Sequence, residues 1–130
     1  MNVAIVHYHF NRGGVTQVVT NHLRALEATR DEDESLKVAL FYGGRHEGAA
    51  DELLSGFEAL APIRCVVEEL DYDTIQPRDP AKLLRRLRDE LAVIGFKPED
   101  TVLHVHNHGL GKNQAVPHVL AALAREGFGL

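Results

Sequence analysis

Val3–Leu26, VAIVHYHFNRGGVTQVVTNHLRAL, contains the two periods from which the fold can be read. Its first residues, Val3 to His9, form a short β-branched run that ends in the turn FNRGG, so a strand is expected there. From Val15 the period lengthens: Val15, Val18, Val19, Leu23 and Leu26 fall on one face of a helix, which buries that face. Strand, glycine-bearing turn and amphipathic helix make one step of an alternating α/β chain.

The step repeats. DEDES, Asp31 to Ser35, is a solvated charge run and a surface connection, leading into a second strand over Leu36–Gly44. Ala49–Leu60 predicts a helix, weakened by Gly56 and closed by Pro62, before a third strand at Ile63–Leu70. Pro77 and Pro80 make Asp71–Pro80 a loop, with Pro80 suited to the first turn of the next helix. That helix runs to Gly95 with Leu83, Leu84, Leu87, Leu91 and Ile94 inward, and with Arg85–Asp89 and Arg86–Glu90 as charge pairs outside. Lys97–His106 reads as a turn and a fourth strand, and Gln114–Gly127 as a last helix with Gly127 at its C-cap.

Four such steps predict one Rossmann-like domain over residues 1–130: an open parallel sheet of order 3-2-1-4 with helices on both faces. The closing residues Phe128–Leu130 look like the opening of a fifth strand, and the fourth would otherwise be a bare edge, so the expectation is a truncated chain.

Composition narrows the function. The chain has 130 residues and a formal charge of −5, from 14 basic and 19 acidic side chains; no basic stripe is available for phosphate backbones, and nucleic acid is not an expected partner. Cys65, the only cysteine, lies in an apolar run and is expected to be a small buried hydrophobe. No leader and no membrane-spanning run is evident, so a soluble, cytoplasmic protein is expected, with peripheral membrane association still open.

Ligands of such sheets bind beyond the carboxyl ends of the strands where the strand order reverses, here between the first and fourth strands. Those ends carry HYHFNRGG and HVHNHGLGKN. Gly13 and Gly14 open a helix, and a tight turn and a phosphate site at the helix dipole account for the pair equally well. His104, His106 and His108 share one side if the strand stays extended. His104 is expected as a hydrogen-bonded core imidazole and His106 at the mouth, within reach of a bound hydroxyl or phosphate; His108 is assigned to the loop. Lys112, near a helix start, favours a bound anion, and Asn113 suits an N-cap. Alternate histidines can also offer two nitrogens to zinc, with His7 and His9 across the way. Neither loop has a carboxylate or cysteine between its histidines, however, and no metal is expected.

The first stretch, with DTVLHVHNHG at Asp100–Gly109, resembles the family 4 glycosyltransferases, retaining enzymes of the GT-B fold. They begin with a strand, a loop ending in Gly-Gly and an apolar-faced helix, and their fourth strand commonly runs Asp, apolar residues, His, any residue, His. The resemblance implies transfer of a hexose from a nucleotide sugar to an acceptor hydroxyl with retention, without a metal. By it Gly13 and Gly14 meet the donor's diphosphate and sugar, where the anion contact read for Lys112 would join them, and His106 lies at the transferred sugar as the catalytic contact. His9, Asn11, Arg12, Asn107 and His108 fall where the acceptor, a glycan or small molecule, is met. VTQ at Val15–Gln17 replaces the small-acidic-basic residues often found after the glycines, which leaves the acceptor class open. The second Rossmann domain, which carries most nucleotide contacts, is missing, so the chain alone is expected to transfer nothing. Two other functions fit the fold: a non-catalytic binding module, and a zinc hydrolase built on the alternate histidines.

Overall fold

Strand β1 (Asn2–Val6) is buried along its whole length, because it lies inside a parallel sheet and is covered on both faces. The computed structural model describes residues 1–32 and 35–130. After β1 come α1 (Gly14–Thr29), β2 (Lys37–Tyr42), α2 (Ala49–Ser55), β3 (Ile63–Val66), α3 (Pro80–Val93), β4 (Thr101–Val105) and α4 (Ala115–Arg125). The sheet order is β3-β2-β1-β4 and every pair is parallel, as the alternation of elements predicts. Of the DEDES connection, Asp33 and Glu34 lie outside the described residues; Asp31, Glu32 and Ser35 are exposed.

Alternation along β1 divides the core in two. Val3 and Ile5 pack with Val19 and Leu23 of α1 and Leu53 of α2, whereas Ala4 and Val6 pack with Leu83 and Leu87 of α3 and Val119 of α4. Cys65 belongs to the second cluster, and burial raises its thiol to about 11, so it serves as an inert hydrophobe. Asp79 caps α3 by accepting from the Ala81 N–H, with Pro80 in the first turn.

Several local expectations change. The second helix stops at Ser55, with Gly56 as its C-cap, and the third strand stops at Val66 before a 3-10 turn at Glu68–Leu70. Val18, expected inward, is 53% exposed, since the buried stripe of α1 runs through Thr16, Val19 and Leu23 and leaves Val18 on its flank. Arg86 reaches Glu69 at 3.6 Å rather than Glu90, and Arg88 pairs with Glu126; among the described residues Arg85 makes no ion pair. Such exposed pairs contribute little, about 0–1 kcal/mol each. At the far edge of β4, Gly129 accepts from the Leu103 N–H and donates to the Thr101 carbonyl, a single bridge where a fifth strand was expected to open. No helix among the described residues is long and apolar enough to cross a membrane.

One glycine shows how closely the strand ends are packed. A Cβ on Gly43, just after β2, would sit 2.6 Å from the Asp71 Cβ and 2.7 Å from its backbone nitrogen. Backbone cannot swing aside as a side chain can, so Gly43→Ala is expected to destabilise the fold by about 1–3 kcal/mol. Gly109→Ala, where the added methyl meets nothing within 4 Å, should stay within about 0.5 kcal/mol of the parent. Urea unfolding of both variants checks the contrast, and equal midpoints would contradict it.

Candidate functional site

At the carboxyl ends of β1 and β4 the two loops meet. The parallel pairing extends one bond past the strand, with the His106 N–H donating to the Val6 carbonyl at 3.0 Å. Beyond it a cleft of about 150 Å³ opens, and His9, Asn11, Arg12, Gly13, Gly14 and Asn107 all line it. The glycine pair and the loop after β4, some 90 residues apart in the chain, thus share one crevice. His106, His108 and Lys112 do not line it.

The floor is the start of α1. Gly13 has no side chain to cap the helix, and the first turn holds no acidic residue. Val15 and Thr16 also line the cleft, so it lies against the first turn of α1, the positive end of the helix dipole. Gly13 stands at φ 158 and ψ −173, a backbone region open to almost no residue but glycine, so the turn itself requires it. At Gly14 an added Cβ would meet no protein atom within 4 Å, which leaves room over the helix start for a ligand. The loop itself is held from inside: the Thr16 hydroxyl donates to the Asn11 carbonyl at 2.6 Å.

The walls come partly from residues that sequence reasoning passed over. His7 is buried, and its Nδ1–H donates to the His106 carbonyl at 3.3 Å, which leaves Nε2 as the free acceptor. Burial lowers His7 to about 4, with His9 and His106 adding repulsion, so it is a neutral imidazole at pH 7. His9 accepts the Asn11 N–H at Nδ1, so its Nε2–H donates to the Tyr72 hydroxyl at 3.0 Å. Burial, with Arg45 next, lowers His9 as well. Tyr8 donates its hydroxyl to the carbonyl of Asn107, which stands at φ 58, a left-handed conformation that asparagine tolerates.

Tyr72 is the hub of the outer wall. The Arg45 guanidinium lies 5.0 Å from its ring centre and the Lys112 ammonium 5.6 Å. Arg45 is held by Asp71, Nε to Oδ2 at 2.7 Å, but among the described residues Lys112 makes no ion pair. Asn113 fixes this corner. It is fully buried, donates to the Glu69 and Asp71 carbonyls at 2.8 and 2.7 Å, and accepts the Ala115 N–H at 3.1 Å, the capping role expected of it. Arg12 turns outward to Glu52, with Nη2 to Oε1 at 2.7 Å, at the junction with a wider groove of about 580 Å³ between α1 and α2.

The alternate histidines of β4 do not act as a threesome. The strand ends at Val105, and the left-handed turn at Asn107 breaks the two-residue period. His108 therefore leaves the face of its neighbours and lies beside Val105 and Pro117, toward α4. His104, expected as a hydrogen-bonded core imidazole, is exposed. The buried residues of α1 pack on β1 and β2, which leaves this face of β4 without helical cover. Its neighbours are His106, with ring centres 4.8 Å apart, and His22 of α1 at 4.5 Å. His106 stands edge-on to His7 at 6.3 Å. His22 had no signal in the helix periodicity, being on the flank of the apolar stripe; only the helix placement together with the strand order could have found it.

Comparison with known proteins returned no matching family model, no matching curated protein and no matching solved structure.

Neutral His7 makes the site sensitive to acid. Its folded value of about 4 lies below that of an unfolded chain, so the unfolded state binds the extra proton. The stability that its neutrality provides is complete above about pH 6.5 and is lost as pH falls toward 4. The loss amounts to about 3 kcal/mol at most. His7→Asn retains a donor for the His106 carbonyl and removes the titration, so its unfolding midpoint should fall less than that of the parent between pH 7 and pH 4.5. Parallel curves for the two proteins would show that His7 is not the group responsible.

Proposed function

We propose that the chain is the acceptor-side Rossmann-like domain of a retaining glycosyltransferase, moving a hexose from a nucleotide sugar to an acceptor hydroxyl in the cytoplasm. The observation that carries this is the cleft on α1: bare glycines, uncapped N–H groups and no carboxylate among its lining residues. These suit a ligand with negative charge at one end and hydroxyls along its length.

In this function the diphosphate sits over Gly13 and Gly14, where the dipole of α1 stabilises charge that grows on the leaving group. Lys112, unpaired beside Tyr72, adds a full positive charge at the rim. Sugar hydroxyls are met by Asn11, Asn107 and the free Nε2 of His7, while His9, with both ring nitrogens bonded, holds Asn11 and Tyr72 in place. His7 thereby takes the contact that the resemblance gives to His106, and His106 holds it through its carbonyl. The acceptor approaches along the groove between α1 and α2, with Arg12 at the junction. The cleft's volume of about 150 Å³ is below the ~300–1,000 Å³ of ordinary small-molecule sites. The donor's nucleotide must therefore be held by a second domain closing over the mouth, which also excludes water.

The test is ligand-observed NMR with nucleotide sugars, sugar phosphates and free sugars against the parent, Gly14→Val and Lys112→Ala. A nucleotide-sugar signal is expected for the parent. Gly14→Val should abolish it at an unchanged melting temperature, and Lys112→Ala should weaken it by roughly tenfold, the worth of one partly exposed charge-assisted contact. Binding indifferent to Gly14, or none to any phosphorylated ligand, would overturn the proposal.

A further inference from the structure

We infer that His22, His104 and His106 form a binding site for a borderline divalent transition cation, zinc foremost, on the uncovered face of β4. One potential ligand nitrogen from each of the three lies within 4.8 Å of the other two. A tetrahedral zinc ion with bonds of about 2.0–2.1 Å holds its nitrogen ligands roughly 3.3 Å apart, so closure requires a contraction of about 1.5 Å at most. His104 is exposed and touches the other two rings, so a rotation of its side chain can supply much of it.

The second observation is independent of those distances. His22 Nδ1 and His106 Nε2 are buried and have no hydrogen-bond partner among the described residues. Buried polar atoms are nearly always satisfied, and leaving one bare costs about 1–3 kcal/mol. Two such atoms in one cluster of three imidazoles indicate a missing occupant that takes lone pairs or bridges them.

The donor set selects the ion. Three imidazoles suit zinc, nickel and copper, whereas magnesium and calcium require oxygen ligands. His104 lies in β4 and His106 one residue past its end, where its N–H still pairs with Val6, and His22 approaches from α1. The three ligands thus come from α1 and from the end of β4, and three nitrogens leave a tetrahedral ion a fourth position for water. The site is separate from the glycine cleft, whose lining includes none of the three.

Untagged, metal-free protein is titrated with zinc by calorimetry and with cobalt by visible absorption, with magnesium as the control ion. One equivalent of zinc is expected, together with a tetrahedral cobalt spectrum. Changes at even the outer partners of a metal site cost 10–100-fold in affinity, so His104→Ala and His22→Ala should each weaken zinc by roughly a hundredfold or more. His118→Ala, at an exposed position on α4, should leave it unchanged, as should Gly14→Val. His104→Ala is expected to fold, being exposed, which a retained melting temperature checks. Zinc bound no more tightly by the parent than by His104→Ala would overturn the inference, whether water fills the trio or other surface histidines take the metal. Failure of the cleft to bind nucleotide sugars would leave this result untouched, and the reverse holds as well.

Discussion

The parallel pairing of β1 with β4 is the contact on which both candidate sites depend. Val3 faces Val102 and Ile5 faces His104 across nearly a hundred residues of chain. Chain from the end of β1 crosses to one side of the sheet as α1, and chain from the end of β4 crosses to the other as α4. The two loops must therefore diverge just above the pairing, and the space between them is the cleft. Were β4 to slip by one residue, Leu103 would leave the core and the histidine face would turn into it.

The same edge position explains the histidines. A central strand of this sheet is covered twice, and β1 is apolar on both faces. β4 has core only on the side of Leu103, and its other face carries Val102, 38% exposed, then His104 and His106. An edge face without cover can carry polar side chains at little cost, and the nearest helix supplies another imidazole rather than an apolar lid. Polar chemistry accumulates on β4 because packing there makes the fewest demands.

The sheet order was legible in the sequence, because strand period, helix period and crossover handedness are local or general properties. The loop after β4 does share a crevice with Gly13 and Gly14, but through Asn107, whereas the expectation placed His106 there. What escaped was set by distant parts of the chain. Tyr72 lies in a proline-bounded loop with no periodic signal, yet the buried amide of Asn113 draws that loop against the start of α4. Alternation along β4 placed His108 beside His106 only while the backbone stayed extended, and the left-handed turn at Asn107 ended that. His104 was expected in the core because strand residues of a parallel sheet usually are buried twice; that rule fails at an edge which α1 does not cover.

Abundant histidine near a supposed phosphate site invites the view that imidazolium charge binds the ligand, and the electrostatics argue otherwise. His7 and His9 are both held below the usual range, first by burial, so near neutrality they offer hydrogen bonds and no charge. Arg12 is paired with Glu52 and Arg45 with Asp71, so neither is a free cation. For the diphosphate of the proposed function there remain the start of α1, equivalent to about half a charge, and Lys112, which makes no ion pair among the described residues. A dianionic ligand exceeds that supply. In the proposed function, therefore, the cleft would serve the charge that develops on a leaving group more than it would grip the whole donor, and a closing domain would have to bring the rest of the counter-charge.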